Sequence, residues 1–422
     1  METTIVNHKS KFLAIAEQTK SSLISALPLV VSEAQTALEN LDIPTSRHEE
    51  WKYTRTTKLQ NERFSIQKSS TASIDYRPFE ALRLVFVNGV YNASLSDHEK
   101  IDGLSIRFDE EIKEQTLIGF DIASSSNFFE ALQRATSTSA LHIQAEKGAV
   151  IEKPIHIVHL IDAAQTLATP SIFVKVNQNA SLEINESFIS SDATASGLTI
   201  RQLWAQVDKN ARLEYNKMQD ENDLSYQMCL EDIQLADDAY SNFNTLTLNG
   251  GWVRNDLRIA LNGKNIESNL SGFYLPRNKQ LIDNHTKVDH RYPHCVSNEL
   301  YKGILFDQST GVFNGKVYVR KDAQKTNAYQ NNANIIAGDQ AVMNTKPELE
   351  IYANDVKCSH GTTTGQLDES AMWYLRSRGI GVDAARRLLT SAFINDVISK
   401  ISNQQVAEFV IADLTEKNLL YV

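Results

Sequence analysis

Cysteine is scarce in this chain: three residues among 422, Cys229, Cys295 and Cys358, odd in number and far apart. Such spacing supports no disulfide framework and fits a reducing compartment, so a cytoplasmic location is expected. Long apolar runs are missing. The best near the start, Ala26 to Val31, is broken by Pro28 and falls far short of the ~20 residues a membrane span needs. No basic region precedes it, so neither a signal peptide nor a membrane partner is expected. Positive charge is in deficit. The 42 Lys and Arg stand against 52 Asp and Glu, a net charge of −10, which argues against nucleic acid as a partner. Helix signals are nearly absent between Leu141 and Tyr352. At this length the chain is too long for one ordinary core, and either several domains or one elongated repetitive domain is expected.

What is present is ordered along the chain. Ile5 to Thr19 and Leu23 to Leu41 carry apolar residues at helical spacing, and Pro44 stops the second run. In "IPTSRHEEWKYT", Ile43 to Thr54, Thr45 or Ser46 can cap a short helix. His48-Glu49 resembles the start of a zinc-peptidase helix, but Lys52 stands where the second histidine is needed. "RLVFVNGVYNASLS", Arg83 to Ser96, reads as a hairpin turning at Asn88-Gly89. Asn127 to Ser137 reads as a short amphipathic helix. Then short alternating runs follow one another, among them "SIFVKVN", "SLEINESFI", "GVFNGKVYV" and "LEIYAND". Period-two alternation means half-buried strands. "NASLEIN" at Asn179 is echoed by "NARLEYN" at Asn210, with "DAYSNFN" at Asp238 as a degenerate third copy. A sandwich and a β-solenoid both remain open. Asn-rich corners, such as "YQNNANII" from Tyr329, favour the solenoid, because stacked Asn side chains form ladders. Helices return at Asp368 to Gly379, after Val382 with Asp383 as cap, and at Gln405 to Leu414.

Four stretches invite chemistry. In "ANDVKCSHGTTTG", from Ala353, Cys358 and His360 share one face of an extended strand with Val356. A small buried thiol beside a strand-end histidine is one reading. A nucleophile with its base is a weaker reading, since two residues along a strand span roughly 7 Å, too far for the hydrogen bond it needs. As a metal site the pair is half a shell, because zinc and iron–sulfur sites want about four ligands. Another subunit would have to complete it. "NHTKVDHRYPHC" holds His285, His290, His294 and Cys295, but their spacing matches no zinc pattern, and a turn with exposed polar residues is expected. In "STGVFNGKV", Gly311, Gly315 and Lys316 fall short of a phosphate loop, and a glycine-rich corner is expected. Finally Met372, Trp373, Tyr374, Leu375, Arg376, Arg378, Arg386, Leu389 and Phe393 belong to the C-terminal helices. They either cap the open end of the β-region or form a docking surface.

Three of these stretches carry a resemblance. "ANDVKCSHGTTTGQLDESAMWYLRSRGI", Ala353 to Ile380, is similar to the C-terminal signature of the SufB/SufD family on its SufD side. "IPTSRHEEWKYT" resembles the N-terminal motif of that family, and Leu300 to Ile336 resembles its solenoid stretch. The order and length agree over nearly the whole chain. The resemblance implies a mainly β fold, a right-handed parallel β-helix over 139–366 between an N-terminal helical region with a small hairpin, 1–138, and a C-terminal helical domain, 367–422. It implies a non-catalytic scaffold of the SUF iron–sulfur assembly system that pairs with SufB through the β-helix. The C-terminal residues named above would dock SufC, an ABC-type ATPase, and a cysteine desulfurase system would supply sulfur indirectly. His360, with Cys358 beside it in a less defined role, would lie at the SufB interface and hold a transient cluster that the isolated chain does not bind. A homodimer of the chain alone stays possible. A SufB-type chain is expected to be longer and to carry a Cys–Glu arrangement where this one has Cys358-Ser359-His360. A carbohydrate-active β-helix would need rung-spaced acidic or basic clusters, which are not evident.

Overall fold

The computed structural model describes residues 8–19, 28–67, 74–120, 122, 125–137 and 139–419. The expected helix starts at Ile5 and Leu23 lie outside these residues. Seven α-helices are present among them: α1 His8–Thr19, α2 Pro28–Asn40, α3 Thr57–Asn61, α4 Phe128–Thr136, α5 Glu369–Ser377, α6 Val382–Ile398 and α7 Gln404–Glu416. Pro28 opens α2 instead of interrupting it, because the first turn of a helix leaves its N–H groups unbonded anyway. Asn127 caps α4, accepting from the Phe129 and Glu130 N–H groups, and Asp368 caps α5, accepting from those of Ser370 and Ala371. Gly381, not Asp383, stands before α6. Asp383 lies inside its first turn, where a carboxylate meets the positive end of the helix.

Between the helices the chain winds as a β-solenoid. Two ten-stranded sheets face each other, and successive strands alternate between them, so almost every pairing joins parallel strands one winding apart. The first sheet runs from Val90–Tyr91 and Leu82–Val87 to Lys357–Gly365; the second runs from Leu104–Phe108 to Val342–Ile351. The hairpin turns at Asn88 and Gly89, both at positive φ. Its first strand is already part of the solenoid, pairing in parallel with Ile155–Ile161. Inward side chains such as Ile157, Ile184, Leu213, Phe243, Leu257 and Leu270 form one continuous core.

The repeat seen in the sequence is a stacking repeat. "NASLEIN" and "NARLEYN" lie in register, Asn185 beside Asn216. Asn179, Asn210, Asp238, Asn265, His294 and Lys325 occupy one corner, all with φ between 55° and 65°. Asn and Asp tolerate this left-handed backbone best. The amide of Asn210 donates to Asn179 at 2.9 Å, and a second ladder runs Asn244 to Asn216 to Asn185 at 2.8 Å per step. "YQNNANII", expected at a corner, is instead a strand, Asn327–Ile336, whose Gln330, Asn332 and Asn334 point inward and are buried. "STGVFNGKV" likewise lies in a strand, Thr310–Val319, and not at a corner.

Helices flank the solenoid on both sides. Phe12, Leu38, Trp51, Phe128 and Phe129 pack on the outer face of the second sheet through Leu198, Ile200, Met228 and Leu230. Ile394, Val397, Val406 and Val410 of α6 and α7 pack on the outer face of the first sheet through Met218, Leu246, Phe273 and Ile304. The C-terminal helices α6 and α7 therefore do not cap the solenoid end. Their apolar stripe finds a sheet face to cover, and that burial is the stronger drive.

Candidate functional site

The end of the solenoid farther from the N-terminus is open. Among the described residues no strand pairs with the outer edge of Val342–Ile351 or of Lys357–Gly365. Cys358, His360 and Thr362 stand in register with Ala328, Gln330 and Asn332 beneath them. All three therefore belong to the inward row. His360 is exposed, because no further turn covers it. Cys358 is half-buried, packed with Leu349 and Val356 on the cluster of Val317, Val319, Ala323, Ala328 and Ala353. Burial pushes its thiol above the usual range, so Cys358 is the less ready ligand of the two at neutral pH. Across the mouth Thr345 and Thr362 share a hydroxyl hydrogen bond at 3.1 Å. A groove of about 750 Å³ leads from His360 past Pro347 and Leu349 to Lys316, Lys346 and Glu348 on the rim.

Beneath the mouth the interior becomes polar. Gln330 Nε2–H donates to Glu299 Oε2 at 2.7 Å, and the Thr286 hydroxyl donates to the same carboxyl group. Burial pushes Glu299 up to about 7, against the pull of those two hydrogen bonds. Farther down, Arg201 pairs with Glu186 at 2.6 Å and with Glu231 at 2.5 Å, and Lys217 joins Glu231 at 2.8 Å. Cys229 lies in this region, fully buried, and burial pushes its thiol up to about 12. Cys295 is buried too, its Sγ–H donating to the Gly263 carbonyl at 3.2 Å. Neither is poised as a thiolate.

The histidine-rich stretch does not converge. His285 lies on the outer face of Leu281–His290, 2.9 Å from Asp283. His290 points inward to Ser297 at 2.9 Å, and burial pushes it down to about 4. His294 is a corner residue at φ 65°. The expected exposed turn is thus half strand, because residues an odd number apart leave a strand on opposite faces. Among the described residues no group of three or more His, Cys, Asp and Glu side chains is arranged to hold a metal ion.

The "HEEWKYT" segment braces the site from outside. The Arg254 guanidinium lies 4.0 Å from the Trp51 ring centre and donates to the Glu50 carbonyl at 2.9 Å and to Asp283 at 2.7 Å. Thr54 donates to the same Asp283 carboxylate at 2.5 Å. Burial opposes the Asp283 charge, but His285, Arg254 and the hydrogen bonds outweigh it and hold the carboxyl low. Lys346 of the edge strand reaches Glu49 at 2.6 Å. Sequence reasoning missed Arg254, Asp283 and Lys346 because their partners lie some 30 to 300 residues away.

The C-terminal candidates divide. Trp373 and Tyr374 on α5 are 72% and 54% exposed, with Arg378 5.3 Å from the Tyr374 ring centre. Arg376, Arg378 and Arg386 are exposed, while Met372, Leu375 and Leu389 are half-buried. Phe393 instead faces the solenoid, under the Lys302 ammonium at 4.6 Å.

Comparison with known proteins agrees with this architecture. Residues 159–393 match the family model described as SUF system FeS cluster assembly, SufBD core domain. The iron–sulfur cluster assembly protein SufD of Escherichia coli is 30% identical over 91% of this chain and 92% of its own. A SufBD-family iron–sulfur cluster assembly protein of Synechocystis is 26% identical over 86% and 85%. The chloroplastic protein ABCI7 of Arabidopsis thaliana is 27% identical over 94% and 88%. With its solenoid, its flanking helices and these relatives, the chain belongs to the SufB/SufD family of iron–sulfur cluster assembly proteins, on the SufD side.

Proposed function

We propose that this chain is a non-catalytic scaffold subunit of the SUF machinery, joined to SufB at the open end of its solenoid, with His360 as a ligand to the nascent cluster at that seam. One observation carries the reading: an exposed imidazole stands on the outermost strand, in the inward row, at an edge with unpaired backbone groups. Such an edge is a template for another chain's strand. A ligand placed there serves only when a second chain adds its own. Iron and sulfide are the cargo of the assembly, and sulfur arrives from a cysteine desulfurase system. A neutral imidazole in place of a thiolate lowers the negative charge around a cluster and raises its potential, which suits a cluster that must leave. Cys358 is the second candidate ligand.

The exposed face of α5, with Trp373, Tyr374, Arg376 and Arg378, suits docking of the SufC ATPase: aromatic and Arg side chains are the usual anchors of an interface. ATP-driven approach of two SufC copies would then act through the C-terminal helices on the open end. No helix among the described residues is long and apolar enough to cross a membrane. The reading places the complex in the cytoplasm. Without SufB, the same edge is free to meet a second copy of this chain. The test is His360→Ala co-purified with SufB and SufC. The complex is expected to assemble but to contain almost no iron or acid-labile sulfide. Normal iron and sulfide in that variant overturns the role.

A further inference from the structure

This inference rests on the reading of His360 as a cluster ligand. One rung beneath it, Gln330 points into the solenoid and is 3% exposed. Its Nε2–H donates down the stack to Glu299, its partner in the rung below. That bond fixes the sense of the amide and leaves Oε1 on the other side. Oε1 is buried and receives no hydrogen bond. A buried carbonyl oxygen without a donor costs ~1–3 kcal/mol and calls for a reason. The seat of this amide is also built. A Cβ added to Gly315, on the facing strand, would lie 2.2 Å from Gln330 Nε2 and 2.8 Å from its Cδ. One sheet gives up a side chain so that the other can place an amide there. The rung above is that of His360, and parallel rungs stand ~4.8 Å apart. An exposed side chain is free to turn, so the ring nitrogen can come within hydrogen-bond reach of the vacant oxygen.

We propose that Gln330 is a positioning residue for His360: its unfilled Oε1 accepts one ring N–H, so the other ring nitrogen turns its lone pair out of the open end toward the partner and the iron. Histidines that bind metals are generally anchored in this way, the second nitrogen donating to an oxygen that fixes the tautomer. Glu299 acts through Gln330 by holding the amide, and Gly315 acts by leaving it room. The acceptor is a neutral amide, so it orients the ring without adding charge beneath it.

The test uses the full chain with ¹⁵N-labelled histidine, the His360 ring signals being those lost in His360→Ala. With the ring neutral, one dominant tautomer is expected in the wild type. Gln330→Met fills the volume without an acceptor. Gly315→Ala keeps every donor and acceptor but pushes the amide from its seat. Both are expected to return the ring to the tautomer mixture of a free imidazole. In the complex with SufB and SufC, both should lower cluster content ~10-fold while assembly persists. A wild-type ring already in the free mixture overturns the inference, and that measurement needs no variant to fold. Folded variants that leave both tautomer and cluster content unchanged overturn it as well. Normal cluster content in His360→Ala sinks the reading of the site itself; its loss there, with Gln330→Met unchanged, sinks only the role of Gln330.

Discussion

At the end of the solenoid nearer the N-terminus, both sheets stop in an antiparallel strand: Val90–Tyr91 on Leu82–Val87, and Leu104–Phe108 on Ala140–Ala145. At the other end both stop in a parallel strand with none beyond it among the described residues. There the parallel repeat gives way to a reversed strand, so the regular winding does not run past that end. The Tyr91 ring lies on Phe108, centre to centre at 3.5 Å, and shuts the core between the sheets. The second end keeps its inward row uncovered. The corners differ in the same direction. Asn179, Asn210, Asp238, Asn265 and His294 suit their left-handed backbone, whereas Lys325, nearest the open end, suits it less well. One end is filled by its own aromatic rings and the other is left uncovered, as the proposed joint with SufB requires.

The two free edges also differ from each other. The Val342 and Tyr352 N–H groups donate inward to Ser309 and Val319. In a parallel strand the direction alternates, so the odd-numbered positions face out. Pro347 is one of them, and an outer edge is where a strand tolerates proline. The edge of the second sheet thus lacks a donor at its middle. The Lys357 N–H donates back to Thr326, so the backbone N–H groups of Cys358, His360, Thr362 and Thr364 point to the free edge of the first sheet, while their side chains keep to the inward row. Backbone pairing with a partner is best supported along that edge.

Substitutions at the two ends should therefore separate association from stability. The largest effect on association is expected from Thr362→Pro, which gives the first sheet's edge the same defect that Pro347 gives the second. SufB binding should weaken tenfold or more, about 1.4 kcal/mol or beyond, with the melting temperature nearly unchanged. Titration of SufB against the variant checks this, and undiminished affinity would move the joint elsewhere. At the closed end, Tyr91→Ala should cost ~2 kcal/mol, less than for a fully buried ring, and leave SufB affinity intact. Denaturant melts beside the same titration measure both. Smallest is Lys325→Asn, which relieves a left-handed lysine and should gain ~1 kcal/mol, seen as a modest rise in melting temperature.

Much of this was legible because it is local. Alternation located most strands, Asp368 and Asn127 announced their helices, and the echo between Asn179 and Asn210 proved to be one winding. Period two placed Cys358 and His360 on one face without saying which, and Val356, read as part of the same strand, lies in the corner before it, since the strand begins at Lys357. What the sequence hid was relation between windings. Gln330 meets Glu299 31 residues earlier, and no local signal ties either to Gly315 or His360. The asparagines of Asn327–Ile336 looked like a corner because Asn is usually found at turns; inside the solenoid Asn332 and Asn334 are instead buried, bonded to each other, to the Tyr274 hydroxyl and to the Tyr301 carbonyl. The C-terminal stripe told that α6 has an apolar face, but not that it lies along a flank and leaves the mouth bare.

Only Gln366, Leu367 and Asp368 separate the strand bearing His360 from α5. Three residues span at most ~10 Å, so this tether has almost no slack. Whatever pulls on that helix tugs on the rim strand nearly at once, and a motor gripping Trp373 and Tyr374 would have its hand about one short helix and one tether from the imidazole.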